Sequence, residues 1–94
     1  MLSVNTEQKL TVPMVGEKFA DLVVDNQKGT YYLFEFKYFS KAKAQQHPNI
    51  LQEKITEATN QINCYKKALE FEGKTLYSYI AIFESINCVH FEQV

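Results

Sequence analysis

From residue 8 onward the chain alternates between apolar runs and polar breaks, with strand character before any helical period sets in. "QKLTVPMV" (8–15) is a candidate first strand, pushed toward an edge or an end by Pro13, which has no N–H for a ladder. "KFADLVVD" (18–25) is β-branched and apolar with little alternation, the pattern of a strand covered on both faces. "NQKG" (26–29) is a turn signal, and "TYYLFEFKYF" (30–39) is the next strand. "SKAKAQQHPN" (40–49) is polar and closes on a proline, so it reads as a loop. A helix follows: Asn49 suits its N-cap, and Gln52, three residues on, suits a capping box. Leu51, Ile55, Ala58, Ile62, Tyr65 and Leu69 step by fours and threes along one face, and Gly73 is the expected stop. "TLYSYIAIFE" (75–84) is a further strand, paired across Ser85–Asn87 with "CVHFEQV" (88–94). The order β-β-β-α-β, with a final β, predicts an α/β fold: a mixed sheet with one long helix packed on it.

Composition narrows this picture only a little. The 94 residues suffice for one domain, and 46% hydrophobic with 22% charged is ordinary for a globular chain. No apolar run approaches membrane-spanning length and no signal peptide opens the chain, so a cytoplasmic location without membrane contact is expected. Cys64 and Cys88 are too few for a disulfide scaffold and match no zinc spacing, so both are expected as reduced, partly buried thiols. A net charge of −1 speaks against a protein that coats nucleic acid by electrostatics, while leaving room for a local basic strip.

The third strand holds the chemistry. Glu35 and Lys37 point to one face of an aromatic run, with Phe34, Phe36 and Tyr38 on the other. A buried charge needs a partner, and a plain Glu35–Lys37 ion pair at the sheet rim would supply one. The hairpin offers more. With Gln27-Lys28-Gly29 as a three-residue loop and Gly29 left-handed, Asn26 faces Thr30 and Asp21 falls opposite Glu35. Their Cβ atoms then lie roughly 4.5–5.5 Å apart, a repulsive placement unless a cation sits between them. A divalent metal with oxygen ligands fits that need. A four-residue loop would instead set Phe34 opposite Asp21.

Asp21 followed by Glu35-x-Lys37 across a hairpin resembles the PD-(D/E)XK nuclease superfamily, with its restriction-endonuclease-like fold. "FADLVVDNQKGTYYLFEFKYFSKAKA", "EATNQINCYKKAL" and "YSYIAIFES" are similar, in order, to the nuclease-type domain at the C-terminal end of a family of bacterial AAA-ATPase-like proteins. The likeness covers residues 16 to 90, and Gln61-x-x-x-Tyr65 on the helix makes it more specific. It implies that Asp21 and Glu35, with the carbonyl of Phe36, ligate Mg²⁺ or Mn²⁺. Lys37 would activate water and offset phosphate charge, with Gln61 catalytic and Tyr65 bordering the substrate. Tyr65 equally completes the apolar stripe of the helix. Lys41 and Lys43 offer a basic strip for a phosphate backbone, or a solvated loop. Residues 1–94 then form one nuclease-like domain from the C-terminal part of a longer protein. Its partners would be nucleic acid, DNA foremost, and an AAA-ATPase-like remainder, with oligomerisation left open.

The chain departs from that pattern at its start. The superfamily usually draws a further acid from a helix ahead of the first strand, and too little chain precedes residue 8 for a long helix. Glu17 shares the parity of Asp21 but lies four residues away, about 13 Å along a strand. Glu7 has no spacing argument. Two functions follow: metal-dependent hydrolysis of phosphodiester bonds, or a catalytically degenerate nuclease fold serving as a DNA- or protein-interaction module.

Overall fold

A computed structural model describes residues 1–94. It contains β1 (Ser3–Val12), β2 (Gly16–Asp25), β3 (Thr30–Phe39), α1 (Lys41–Gln46), α2 (Ile50–Tyr65), a 3₁₀ turn (Leu69–Phe71), β4 (Thr75–Glu84) and β5 (Asn87–Gln93). The five strands form one mixed sheet in the order β1-β2-β3-β4-β5. Three neighbouring pairs are antiparallel, and β3–β4 is parallel, spanned by the crossover that contains α2. This is the α/β arrangement expected of a restriction-endonuclease-like fold.

One face of the sheet supplies the core. Leu10, Val12, Ala20, Val23, Leu33, Ile80 and Ile82 pack under Ala58, Ile62 and Tyr65 of α2, with Phe71 closing one side. On β3 the alternation is clean: Leu33, Glu35 and Phe39 are buried, while Phe34, Phe36 and Tyr38 face away from the helix. The opposite face carries no helix.

The hairpin forms with the three-residue loop. Asn26 N–H donates to the Thr30 carbonyl (3.1 Å), and the Asn26 side chain accepts from the N–H groups of Lys28 and Thr30 (2.8 and 3.0 Å). Gln27 and Gly29 both take positive φ (59° and 93°), which glycine adopts freely at the second position. The pairs Asp25–Tyr31 through Leu22–Phe34 follow from that turn.

Six expectations shift. The first strand runs over residues 3–12 rather than 8–15: it pairs with β2 at every position but Glu7 and stops before Pro13, which cannot donate to a ladder. β2 is not covered on both faces, because only Ala20 and Val23 are buried. The polar segment after β3 is not all loop. Ser40 caps α1 by accepting the Lys43 N–H (3.0 Å), and Lys-Ala-Lys-Ala-Gln-Gln are strong helix formers. α2 starts at Asn49 as expected but without the capping box, since Gln52 bonds Thr56 Oγ1 (3.4 Å) instead. It ends at Tyr65 rather than Gly73, leaving Leu69 in the 3₁₀ turn and exposed. Both cysteines are free, and Cys88 is exposed rather than partly buried. No helix is long and apolar enough to cross a membrane.

Candidate metal-ion and phosphodiester site

Asp21 sits where the backbone of β2 is released from both neighbours. Pairing with β3 ends at Leu22–Phe34, one step short of it. Pairing with β1 skips it too, running from Thr6–Leu22 to Gln8–Ala20. The residue it faces on β1 is Glu7, whose φ of 49° is left-handed, an uncommon conformation for a side-chain-bearing residue. Burial on β2 changes parity at the same point, since both Ala20 and Val23 are inward. Such a local twist re-aims a side chain, and here the Asp21 carboxylate turns into the gap toward β3. Its Oδ2 accepts the Phe36 N–H at 2.8 Å.

Glu35 lies directly across that gap, continuing the hairpin register. Only 4% of it is exposed, beneath the helix-covered face. Its carboxyl is pushed up to about 7, first by burial and then by the negative charge of Asp21, with Lys37 opposing. Lys37 Nζ is 3.8 Å from Glu35 Oε2, a loose contact that leaves the charge only partly answered. Glu35 Oε1 is buried with no hydrogen-bond partner, and so is Gln61 Oε1 on α2. Two orphaned acceptor oxygens in one protein of this size call for a donor or a cation. Tyr65, one helical turn from Gln61, is both core and site. It belongs to the buried cluster, and its hydroxyl is held up at about 12 by burial and by the charges of Glu35 and Asp21.

The sequence-derived set therefore divides. Asp21, Glu35, Phe36 and Lys37 come together at the β2–β3 gap, and Tyr65 senses both acids from α2. In an antiparallel pair a residue presents its N–H and C=O to the same neighbour, so the Phe36 carbonyl faces the gap that its N–H enters. Lys41 and Lys43 stand exposed on α1 and form no ion pair with either acid. Glu17 is engaged by Lys9 (2.9 Å) at the far end of the β1–β2 pair.

The cleft beside Asp21 escaped the sequence. Thr6, Glu7, Asp21, Phe36 and Tyr38 line an open cleft of about 530 Å³. Only the long-range β1–β2 pairing brings Thr6 and Glu7 there, and the polar "VNTEQ" carries no strand signal. Glu7 stays outside the acid pair, for no cluster of three or more His, Cys, Asp or Glu side chains is assembled anywhere. The donors present suit a hard divalent cation: oxygen atoms alone, two of them carboxylates, with a buried acceptor lacking a partner.

A family model described as the PD-(D/E)XK nuclease superfamily matches residues 14–93, which takes in every strand except β1 and the whole of α2. Neither a curated protein nor a solved structure matches the chain.

Proposed function

The chain belongs to the PD-(D/E)XK nuclease superfamily, and on that premise we propose that it hydrolyses nucleic-acid phosphodiester bonds with the help of Mg²⁺ or Mn²⁺ bound at the β2–β3 gap. The observation that carries the reading is Glu35, buried, short of a partner and facing a second carboxylate. A protein that needed only a stable sheet would gain nothing from that placement.

Asp21, Glu35 and the Phe36 carbonyl are the residues that would hold the ion. A divalent cation in such a site lowers the pKa of bound water and neutralises charge on the phosphate. The Phe36 N–H holds the Asp21 carboxylate in one orientation. Glu35, poised near neutrality by burial, releases its proton when positive charge arrives. Lys37 supplies a fixed positive charge on the same strand face, able to orient the attacking water and to offset charge as it grows on the phosphate. Gln61, whose side-chain oxygen is buried on α2 without a partner, would serve the same site, beside Tyr65 one helical turn away.

The degenerate interaction module is favoured by one observation, the assembly of two carboxylates rather than three. Cleavage of labelled single- and double-stranded DNA and RNA with Mg²⁺ or Mn²⁺ separates the readings, with wild type beside Lys37→Ala and Glu35→Ala. Activity confined to wild type is expected. Equal activity in all three would reveal a contaminant, and no activity in any would leave the binding module in possession. Attachment to an AAA-ATPase-like remainder belongs to the same proposal, and copurification from the natural source would test it.

A further inference from the structure

The helix-free face of the sheet carries aromatic rings on three adjacent strands. Tyr38 lies over Phe83, with ring centroids 5.3 Å apart and planes 18° from parallel. Phe34, Tyr79 and Phe91 form a continuous stack across β3, β4 and β5, with centroid spacings of 5.2 and 5.5 Å. Phe36 joins the two groups, 6.3 Å from Phe34 and 6.2 Å from Phe83. The outer members are open to solvent: Tyr38 is 62% and Phe91 60% exposed. A ring surface of this extent on one face marks a binding site rather than chance exposure.

Its position narrows the occupant. Phe36 and Tyr38 line the same cleft as Asp21, so the ring surface reaches one of the two candidate metal-binding acids from the helix-free side. We propose that this face is a base-stacking platform and that the substrate is single-stranded nucleic acid, an inference that rests on the nuclease reading for what happens at Asp21. Unpaired bases stack on aromatic side chains whatever their sequence, whereas the bases of a duplex are already stacked on one another. Duplex binding leans on neutralised phosphates, and the ring-bearing face of β3 and β4 offers no lysine: its residues there are Tyr32, Phe34, Phe36 and Tyr38, opposite Tyr77, Tyr79, Ala81 and Phe83. Lys41 and Lys43, exposed on α1 just past Tyr38, supply positive charge at one end only. A second copy laid face to face would cover Phe36 and Tyr38 and close the cleft into which Asp21 turns. The strand therefore passes from the rings to Asp21.

Fluorescence anisotropy in EDTA tests this without metal or cleavage. Labelled oligothymidylate and oligouridylate are expected to bind more tightly than a hairpin duplex of equal phosphate count, and an abasic oligonucleotide should bind worst. Tyr38→Ala and Phe91→Ala should each weaken single-strand binding roughly fivefold or more, while Tyr38→Phe retains it. Binding of the duplex or the abasic strand as tight as oligothymidylate would overturn the proposal, and these probes require no variant to fold. A dimer in sedimentation that Phe91→Ala dissociates and oligothymidylate leaves intact would also overturn it, in favour of a self-association surface. Single-strand binding without cleavage in Mn²⁺ would sink only the nuclease reading. Metal-dependent cleavage with no preference for the single strand would sink only the stacking platform.

Discussion

Asp21 and Glu35 face each other one step beyond the last paired residues of β2 and β3, and the Asp21 carboxylate is held there by the Phe36 N–H. Separating two strands at that point removes ladder hydrogen bonds and brings two negative groups together, both unfavourable in isolation. A cation bound between them would reverse the balance. Millimolar Mn²⁺ or Mg²⁺ should therefore raise the melting temperature of the wild-type protein by mass action on the folded form. Asp21→Asn, which removes one charge with little change of shape, should abolish most of that shift. Differential scanning fluorimetry reads both, and an equal shift in the two proteins would place the bound metal elsewhere.

The raised Glu35 carboxyl carries a pH signature in chelator. Its folded pKa of about 7 lies above the ordinary 4.5, so the native state holds this proton more tightly than the unfolded chain does. The resulting stability is complete below about pH 4.5 and is lost as pH rises through about 7. The loss should be of order 1–3 kcal/mol, read by denaturant unfolding across that interval. Glu35→Gln mimics the protonated form and should flatten this part of the profile. A wild-type profile already flat there would show that the carboxyl is not perturbed.

How much of this was legible depended on range. The hairpin was, because Asn26 and Gly29 set the loop by local hydrogen bonding and backbone freedom, and the register of Asp21 and Glu35 follows by counting. The stripe of Ala58, Ile62 and Tyr65 was, because a helix repeats every few residues. The cleft was not. Glu7 and Thr6 reach it through a pairing whose strand is polar on its exposed face, and the left-handed turn at Glu7 has no glycine to announce it. α1 was hidden for another reason: its only apolar residues are Ala42 and Ala44, too small and few for an apolar stripe, and only the Ser40 cap marks its start. The end of α2 was missed because Leu69 keeps the apolar spacing after the backbone has left the helix.

Gly29 offers a test of how firmly that register is held. A methyl group added there meets nothing closer than the Lys74 side chain at 3.9 Å, so only its φ of 93° opposes substitution. Gly29→Ala should cost about 1–2 kcal/mol of stability through backbone strain. Because Asn26 still holds both sides of the loop, the Mn²⁺ shift should survive at reduced melting temperature. Loss of the metal response together with stability would mean that the glycine, rather than the asparagine, sets the position of Asp21.

Gln61 separates site chemistry from packing most sharply. Its side-chain oxygen is buried on α2 without a partner, an arrangement that costs about 1–3 kcal/mol in a folded protein. Gln61→Leu replaces the orphaned amide with an apolar group of similar size, so the metal-free protein should unfold at equal or higher denaturant concentration. If the oxygen serves the phosphodiester site, the same change should lower metal-dependent cleavage by roughly a hundredfold, the usual scale for removing one preorganised polar group. A gain in stability with a loss of activity is the signature of a residue kept for function. A variant that loses stability instead would show that the amide is satisfied within the fold, and unchanged cleavage would remove Gln61 from the site. Gln61→Glu completes the comparison: if Gln61 borders the site, a third carboxylate there should destabilise the protein in EDTA and enlarge the stabilisation by Mn²⁺.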